Sequence, residues 1–142
     1  MIAVDTNILI YAHRGETEFH GAATSRLTAL AEGVERWALP IFCVTEFMRV
    51  VTHRRVFNPP STVTQATSFI EGIIAAPSCE VLRPGPEYLE LLIASVRESD
   101  ASGNLIFDAQ IAALCHEHGI VSILTNDRDF GRFKPLQPRR LD

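Results

Sequence analysis

The sequence predicts one α/β domain over residues 1–142, with a mainly parallel sheet inside a three-layer α/β/α arrangement. Three observations carry this. Short apolar runs of strand length alternate with longer segments of helical periodicity. Two of the runs, Ile2-Ala3-Val4 and Val121-Ser122-Ile123-Leu124, lead directly into the polar clusters Asp5-Thr6-Asn7 and Thr125-Asn126-Asp127. The runs are also largely continuous rather than alternating, as expected of strands covered on both faces.

Composition bounds the rest. The 142 residues suffice for one real core, and 46% apolar with 21% charged residues is an ordinary globular balance. No apolar run nears the roughly 18 residues of a membrane span, and the N-terminus lacks a basic segment before an apolar one, so no signal peptide is expected. Three widely spaced cysteines, Cys43, Cys79 and Cys115, form no C-x-x-C pair, which fits inert thiols in a reducing cytoplasm. A net charge of −4 argues against a non-specific nucleic-acid coat protein. It leaves room for an enzyme on nucleic acid whose acidic residues gather around cations.

The first strand, Ile2–Val4, passes into a helix through Asp5 with no intervening loop. Asp5 therefore sits at the carboxyl end of a strand, where open α/β sheets place ligands, although it could equally serve only as a helix cap. Arg14 to Glu18 reads as a polar turn. Residues 20–32 form a helix with Ala23, Leu27, Leu30 and Ala31 at helical spacing and Gly33 as its stop. Trp37-Ala38-Leu39 is a strand closed by Pro40. Residues 41–55 form the next helix, with a stripe of Ile41, Val44, Phe47, Met48 and Val51. Glu46 lies off that stripe, between Phe42 and Val50 on a second, partly apolar face. Asn58-Pro59-Pro60-Ser61 breaks the chain, and Ser61 or Thr62 caps a helix to about residue 75. Glu80-Val81-Leu82 is a strand, and Leu89, Leu92, Ile93 and Val96 mark an amphipathic helix. In the helix of residues 104–118, Leu105, Asp108, Ile111, Ala112 and Cys115 recur at three- and four-residue steps. Asp108 thus falls within an apolar stripe, where an ionised carboxylate needs a salt bridge, hydrogen bonds or a metal. Gly119 ends this helix, Val121–Leu124 is the last buried strand, and Arg128-Asp129-Phe130 starts a short turn. Leu136 belongs to a final edge strand.

In a parallel sheet Asp5 and Asp127 point to the same edge. Glu46 follows the second strand and Asp108 precedes the last buried one. If their helices flank that edge, four carboxylates meet. Crowded like charges raise one another's pKa, so such a cluster is stable chiefly with cations bound. An all-oxygen set selects Mg²⁺ or Mn²⁺ over zinc. Carboxylate-held ions of this kind suit phosphodiester hydrolysis by an activated water. Thr6, Asn7, Thr125 and Asn126 supply supporting hydrogen bonds. Arg128, Arg132, Lys134, Arg139 and Arg140 make the C-terminal segment the most basic, either a phosphate-contacting surface or a solvated face.

Asp5-Thr6-Asn7 after an N-terminal strand, a lone Glu46 on the third helix, Asn104-x-x-x-Asp108, and Thr125-Asn126-Asp127-x-Asp129-Phe130 together resemble the PIN domain. The length resembles the VapC-type toxins of toxin–antitoxin pairs. The resemblance implies a PIN-like fold and an Mg²⁺- or Mn²⁺-dependent endoribonuclease, usually a cytoplasmic homodimer. It also implies inhibition by a VapB-type antitoxin whose C-terminal segment occupies the active-site groove. Asp5, Glu46, Asp108 and Asp127 would take the metal-binding catalytic positions. Asp129 is a further acidic position, and Thr6, Asn7, Asn104, Thr125 and Asn126 are supporting. Arg128 and Arg132 are candidate RNA contacts, whereas His13 and His20 read as surface residues. The alternatives are a catalytically quiet PIN-like module binding RNA or protein, and a DNA-directed nuclease. A haloacid-dehalogenase-type phosphotransferase would need D-x-D where this chain has Asp5-Thr6-Asn7. A phospho-receiver would need a late active-site lysine, and the sole lysine, Lys134, is poorly placed.

Overall fold

A computed structural model describes residues 1–142. Five strands form one parallel sheet in the order β3-β2-β1-β4-β5. They are β1 (Ile2–Val4), β2 (Trp37–Pro40), β3 (Cys79–Leu82), β4 (Ser122–Leu124) and β5 (Gln137–Arg139). The helices are α1 (Thr6–His13), α2 (His20–Glu32), α3 (Ile41–Val51), α4 (Val63–Ile74), α5 (Tyr88–Ser99) and α6 (Leu105–Glu117), and a 3-10 turn spans Arg128–Arg132. From β1 the chain steps outward to β2 and β3, then returns to β4 on the other side of β1. Right-handed crossovers place helices from these two legs on opposite faces. The packing agrees: α1 lies against α2 and α3, α3 against α4, and α5 against α6.

Local chemistry sets the element ends. Asp5, in extended backbone, caps α1 by accepting the Thr6 N–H at 2.7 Å. Thr62 and Gln65 close a reciprocal capping box on α4. Gly119, at φ 71°, ends α6, with the Ile120 N–H on the Cys115 carbonyl and the Gly119 N–H on that of His116. This is a Schellman arrangement, and it plugs Ile120 into the core ahead of β4. Trp37, fully buried in β2, donates its indole N–H to Ser78, which donates in turn to the Leu30 carbonyl.

Several boundaries and faces differ from expectation. α3 stops at Val51 rather than residue 55, because the Thr52 hydroxyl bonds the Met48 carbonyl and the Ser61 N–H takes the Val51 carbonyl. Its fully buried line is Cys43, Phe47 and Val51, while Ile41, Val44 and Met48 are only partly buried. α6 is buried around most of its circumference, through Ala109 and Ile111 to Cys115, so it is a central helix rather than one with a single stripe. Val121 is 52% exposed and precedes β4, and β5 begins one residue after Leu136, whose side chain is a core residue. His13, expected at the surface, is only partly exposed. It sits between Phe47 and Phe69, with Nε2 2.8 Å from the Ser61 hydroxyl, while His20 Nδ1 lies 2.8 Å from the Tyr11 carbonyl. The cysteines are all free, and burial pushes the Cys79 thiol up to about 11 and Cys115 up to about 12, which keeps them unreactive.

Candidate functional site

Strand order reverses between β1 and β4, the crevice where doubly wound sheets bind ligands. Val4 pairs with Leu124, and the Asp5 N–H bonds the Leu124 carbonyl at 3.0 Å. Asp5 and Thr125 therefore leave the sheet side by side. Thr125 is completely buried and acts as a hub. Its hydroxyl donates to Asp5 Oδ2 at 2.7 Å and accepts from the Asp127 N–H at 2.9 Å and from Asn7 Nδ2 at 3.3 Å. With Oδ1 on the Thr6 N–H, both oxygens of Asp5 are fixed. Asp127 Oδ1 then accepts the Asp129 N–H at 2.9 Å, which starts the 3-10 turn. Fully buried Phe130 anchors that turn to the core.

A cleft of about 1030 Å³ opens at this edge. α3 supplies one wall with Glu46 and Arg49. The start of α6 supplies another with Asn104, Phe107 and Asp108, and the acidic turn supplies Asp127 and Asp129. Carboxylate oxygens of Asp108, Asp127 and Asp129 lie within 4.8 Å of one another. Glu46 lines the same cleft from α3 but stands outside that trio. Asp5 also stands outside it: it is only 6% exposed and does not line the cleft. The five carboxylates thus form a tight trio with one acid across the cleft and one buried behind it.

The electrostatics follow from burial first and from this crowding second. Burial, opposed by the Thr125 and Thr6 hydrogen bonds and reinforced by Glu46 and Asp127, pushes Asp5 up to about 7. Burial and then the charges of Asp127, Asp5, Asp129 and Glu46 push Asp108 up to about 7. Asp108 lies in the first turn of α6, where the helix dipole favours an anion, and burial together with the crowding outweighs that help. Burial raises Glu46 too, partly offset by Arg49. None of these acids has a salt-bridge partner; the ion pairs are Arg14–Glu16, Arg36–Glu80 and Arg140–Asp142, all elsewhere. Thr6 Oγ1 and Asn7 Oδ1 are buried without a hydrogen-bond partner. Cleft-lining carboxylates without salt-bridge partners, with no histidine or cysteine among them, fit a hard divalent cation.

Other candidate residues lie elsewhere. Asn126 turns to the C-terminal segment: its Oδ1 accepts the Leu141 N–H and its carbonyl accepts from Arg140. Arg128 is exposed and Arg132 donates to the Ser99 carbonyl, and neither lines the cleft. The cleft's only basic side chain is Arg49, which sequence reasoning passed over. Its spacing of three residues from Glu46 places both on one helix face, and that was the available signal. Phe107, beside Asp108 and 58% exposed, was likewise passed over.

Residues 2–135 match the PIN domain family. The chain is 37% identical over 139 residues to VapC ribonuclease Mb2897 of Mycobacterium bovis, covering 98% of this chain and 94% of that one. It is also 37% identical to ribonuclease VapC31 of Mycobacterium tuberculosis, covering 96% of each. In fold it is similar to VapBC2 from Rickettsia felis bound to a promoter DNA fragment, with a TM-score of 0.71 at 19% identity over 99% of this chain and 98% of that one. It is similar as well to VapC20 of M. tuberculosis, a sarcin-ricin loop cleaving toxin, with a TM-score of 0.69 at 17% identity over 92% and 93%. With the acidic cleft at the sheet's switch point and relatives spanning nearly its whole length, this chain belongs to the PIN-domain family and, within it, to the VapC ribonucleases.

Proposed function

We propose that the chain is a divalent-metal-dependent endoribonuclease, the toxin of a toxin–antitoxin pair, acting as one domain over residues 1–142. The observation that supports this most directly is the gathering of Asp108, Asp127 and Asp129 in one cleft with Glu46, without a counter-charge from any salt bridge. A binding module gains nothing from holding such mutually repelling groups together. Asp108, Asp127 and Asp129 would hold Mg²⁺ or Mn²⁺, with Glu46 completing the shell from α3. Asp5, locked by Thr125, would serve as ligand or as the acid that orients one. Bound there, the ion supplies an activated water and charge stabilisation for phosphodiester hydrolysis, so no side chain has to act as nucleophile. Arg49 contributes the one positive charge lining the cleft.

The partners proposed are RNA, a VapB-type antitoxin and a second copy of the chain. The setting proposed is the cytoplasm, and no helix is long and apolar enough to cross a membrane. The test is cleavage of pooled cellular RNA by the purified chain with Mg²⁺ or Mn²⁺ and again with EDTA. Cutting is expected with metal and lost with EDTA. Cutting that survives EDTA removes the metal-site reading, and cleavage of single-stranded DNA instead of RNA moves the substrate.

Thr125→Val keeps the shape of the hub and removes its hydroxyl. It leaves Asp5 Oδ2, the Asp127 N–H and Asn7 Nδ2 without their shared partner. A loss of about 10–100-fold in cleavage is expected, the range for groups that orient metal ligands. Mn²⁺ titration should show weaker binding in parallel. Wild-type activity in this variant would mean that the carboxylates hold their positions without the hub.

A further inference from the structure

We infer that Phe107 and Arg49 form a nucleotide subsite beside the reacting phosphodiester, with Phe107 stacking on an unpaired base and Arg49 contacting a neighbouring phosphate. This inference rests on the ribonuclease reading and specifies how that site holds its substrate.

Phe107 is 58% exposed although it sits in the chain position next to Asp108, inside the cleft lining. A large apolar ring in that position packs against no core: it is absent from both the buried cluster and the partly buried residues that pack on it. An exposed aromatic in an acidic, open cleft has a clear use with single-stranded RNA, whose bases present π-faces to any planar ring. Its location fixes which base it can serve. It lines the same cleft as the carboxylate trio, so a base stacked on it belongs to a nucleotide held close to the scissile bond.

Arg49 stands on the facing wall, on α3, and forms no salt bridge. The cleft otherwise presents Glu46, Asp108, Asp127 and Asp129, a field that repels a polyanion. A guanidinium free of internal partners suits bidentate contact with a phosphate. Asn104 and Gln110, on the same wall as Phe107, present amides that can meet a base edge. The subsite thus has a platform, a charge and edge-reading groups, with Phe107, Arg49 and Gln110 on helices and Asn104 at the N-cap of α6.

The probe is a randomised single-stranded RNA 12-mer carrying 2-aminopurine, with Ca²⁺ present to neutralise the carboxylates. Cleavage of the same pool in Mn²⁺ runs alongside. Phe107→Ala is expected to weaken binding about tenfold, in line with the loss of one stacked base, to abolish the 2-aminopurine change on binding, and to raise KM more than it lowers kcat. Phe107→Tyr is expected to restore all three. Arg49→Ala should keep the stacking signal and reduce the salt dependence of binding by about 0.7 in log–log slope, the contribution of one phosphate contact on a single strand. Phe107→Ala with wild-type affinity and signal overturns the inference. So does unchanged RNA binding accompanied by a shift in oligomeric mass, which would make Phe107 a contact between protein chains. Wild type that neither binds nor cuts the pool overturns the ribonuclease reading, and this inference with it.

Discussion

Asp108→Asn is expected to reduce RNA cleavage by more than about a hundredfold, beyond what losing a supporting contact around a metal costs, while the metal-free protein becomes more stable. The two effects share one cause. Asp108 is half-buried near four other carboxylates, and nothing positive is bonded to it. Its carboxyl titrates near 7 in the fold, against 3.8 for a free aspartate. Between those values the unfolded chain has released the proton and the folded chain has kept it. The unfolded state therefore binds fewer protons, and stability falls as pH rises from about 4 to about 7. Asparagine keeps the shape, carries no charge and removes Asp108's share of this slope, leaving the share of Asp5, which is also pushed up to about 7. Thermal unfolding in EDTA at pH 5 and pH 8 measures it. Wild type should lose more stability than Asp108→Asn on going to the higher pH, and Mn²⁺ should restore wild type preferentially. A variant that is both inactive and less stable at every pH would assign Asp108 a structural role instead.

Phe47→Ala is expected to destabilise the fold by about 3–5 kcal/mol, the range for deleting a buried aromatic. Phe47 has no exposed surface and joins three helices. Its ring stacks on Phe69 of α4 at 5.0 Å and meets the edge of His13 of α1 at 5.3 Å. It also follows Glu46 directly, so it sets the side of α3 that faces the cleft. Phe47→Leu, which keeps more of the volume, should cost less. Urea unfolding of both variants decides the point: a loss under about 1 kcal/mol for alanine would mean that the three helices collapse onto the gap. Mn²⁺ affinity should fall in the alanine variant even under conditions where it stays folded, because Glu46 loses its backing.

The sequence alone determined the alternation of strands and helices, because that information is local. The apolar run of Ile2–Val4, the cap at Asp5, the capping residue Thr62 and the stop at Gly119 each act within a few residues. It also determined which acids were out of place: Asp5 and Asp127 end strands, and Asp108 interrupts an apolar helix. Strand order, by contrast, was decided in three dimensions. The reversal at β1 brings Asp5 beside Thr125, 120 residues away along the chain, and no periodicity records that pairing. The same holds for the division of labour among the carboxylates. All of them have the same chemistry in sequence, but the Thr125 hub draws Asp5 into the interior while the Phe130-anchored turn swings Asp129 beside Asp127 and Asp108. The basic C-terminal segment stood out in the sequence as either a phosphate-contacting surface or a solvated face, because charge density is visible along a chain, whereas direction is not. Tertiary packing ties Arg132 to Ser99 and leaves Arg49 as the cation lining the cleft. A side chain's type is fixed by the sequence, but what it points at depends on which helix packs behind it.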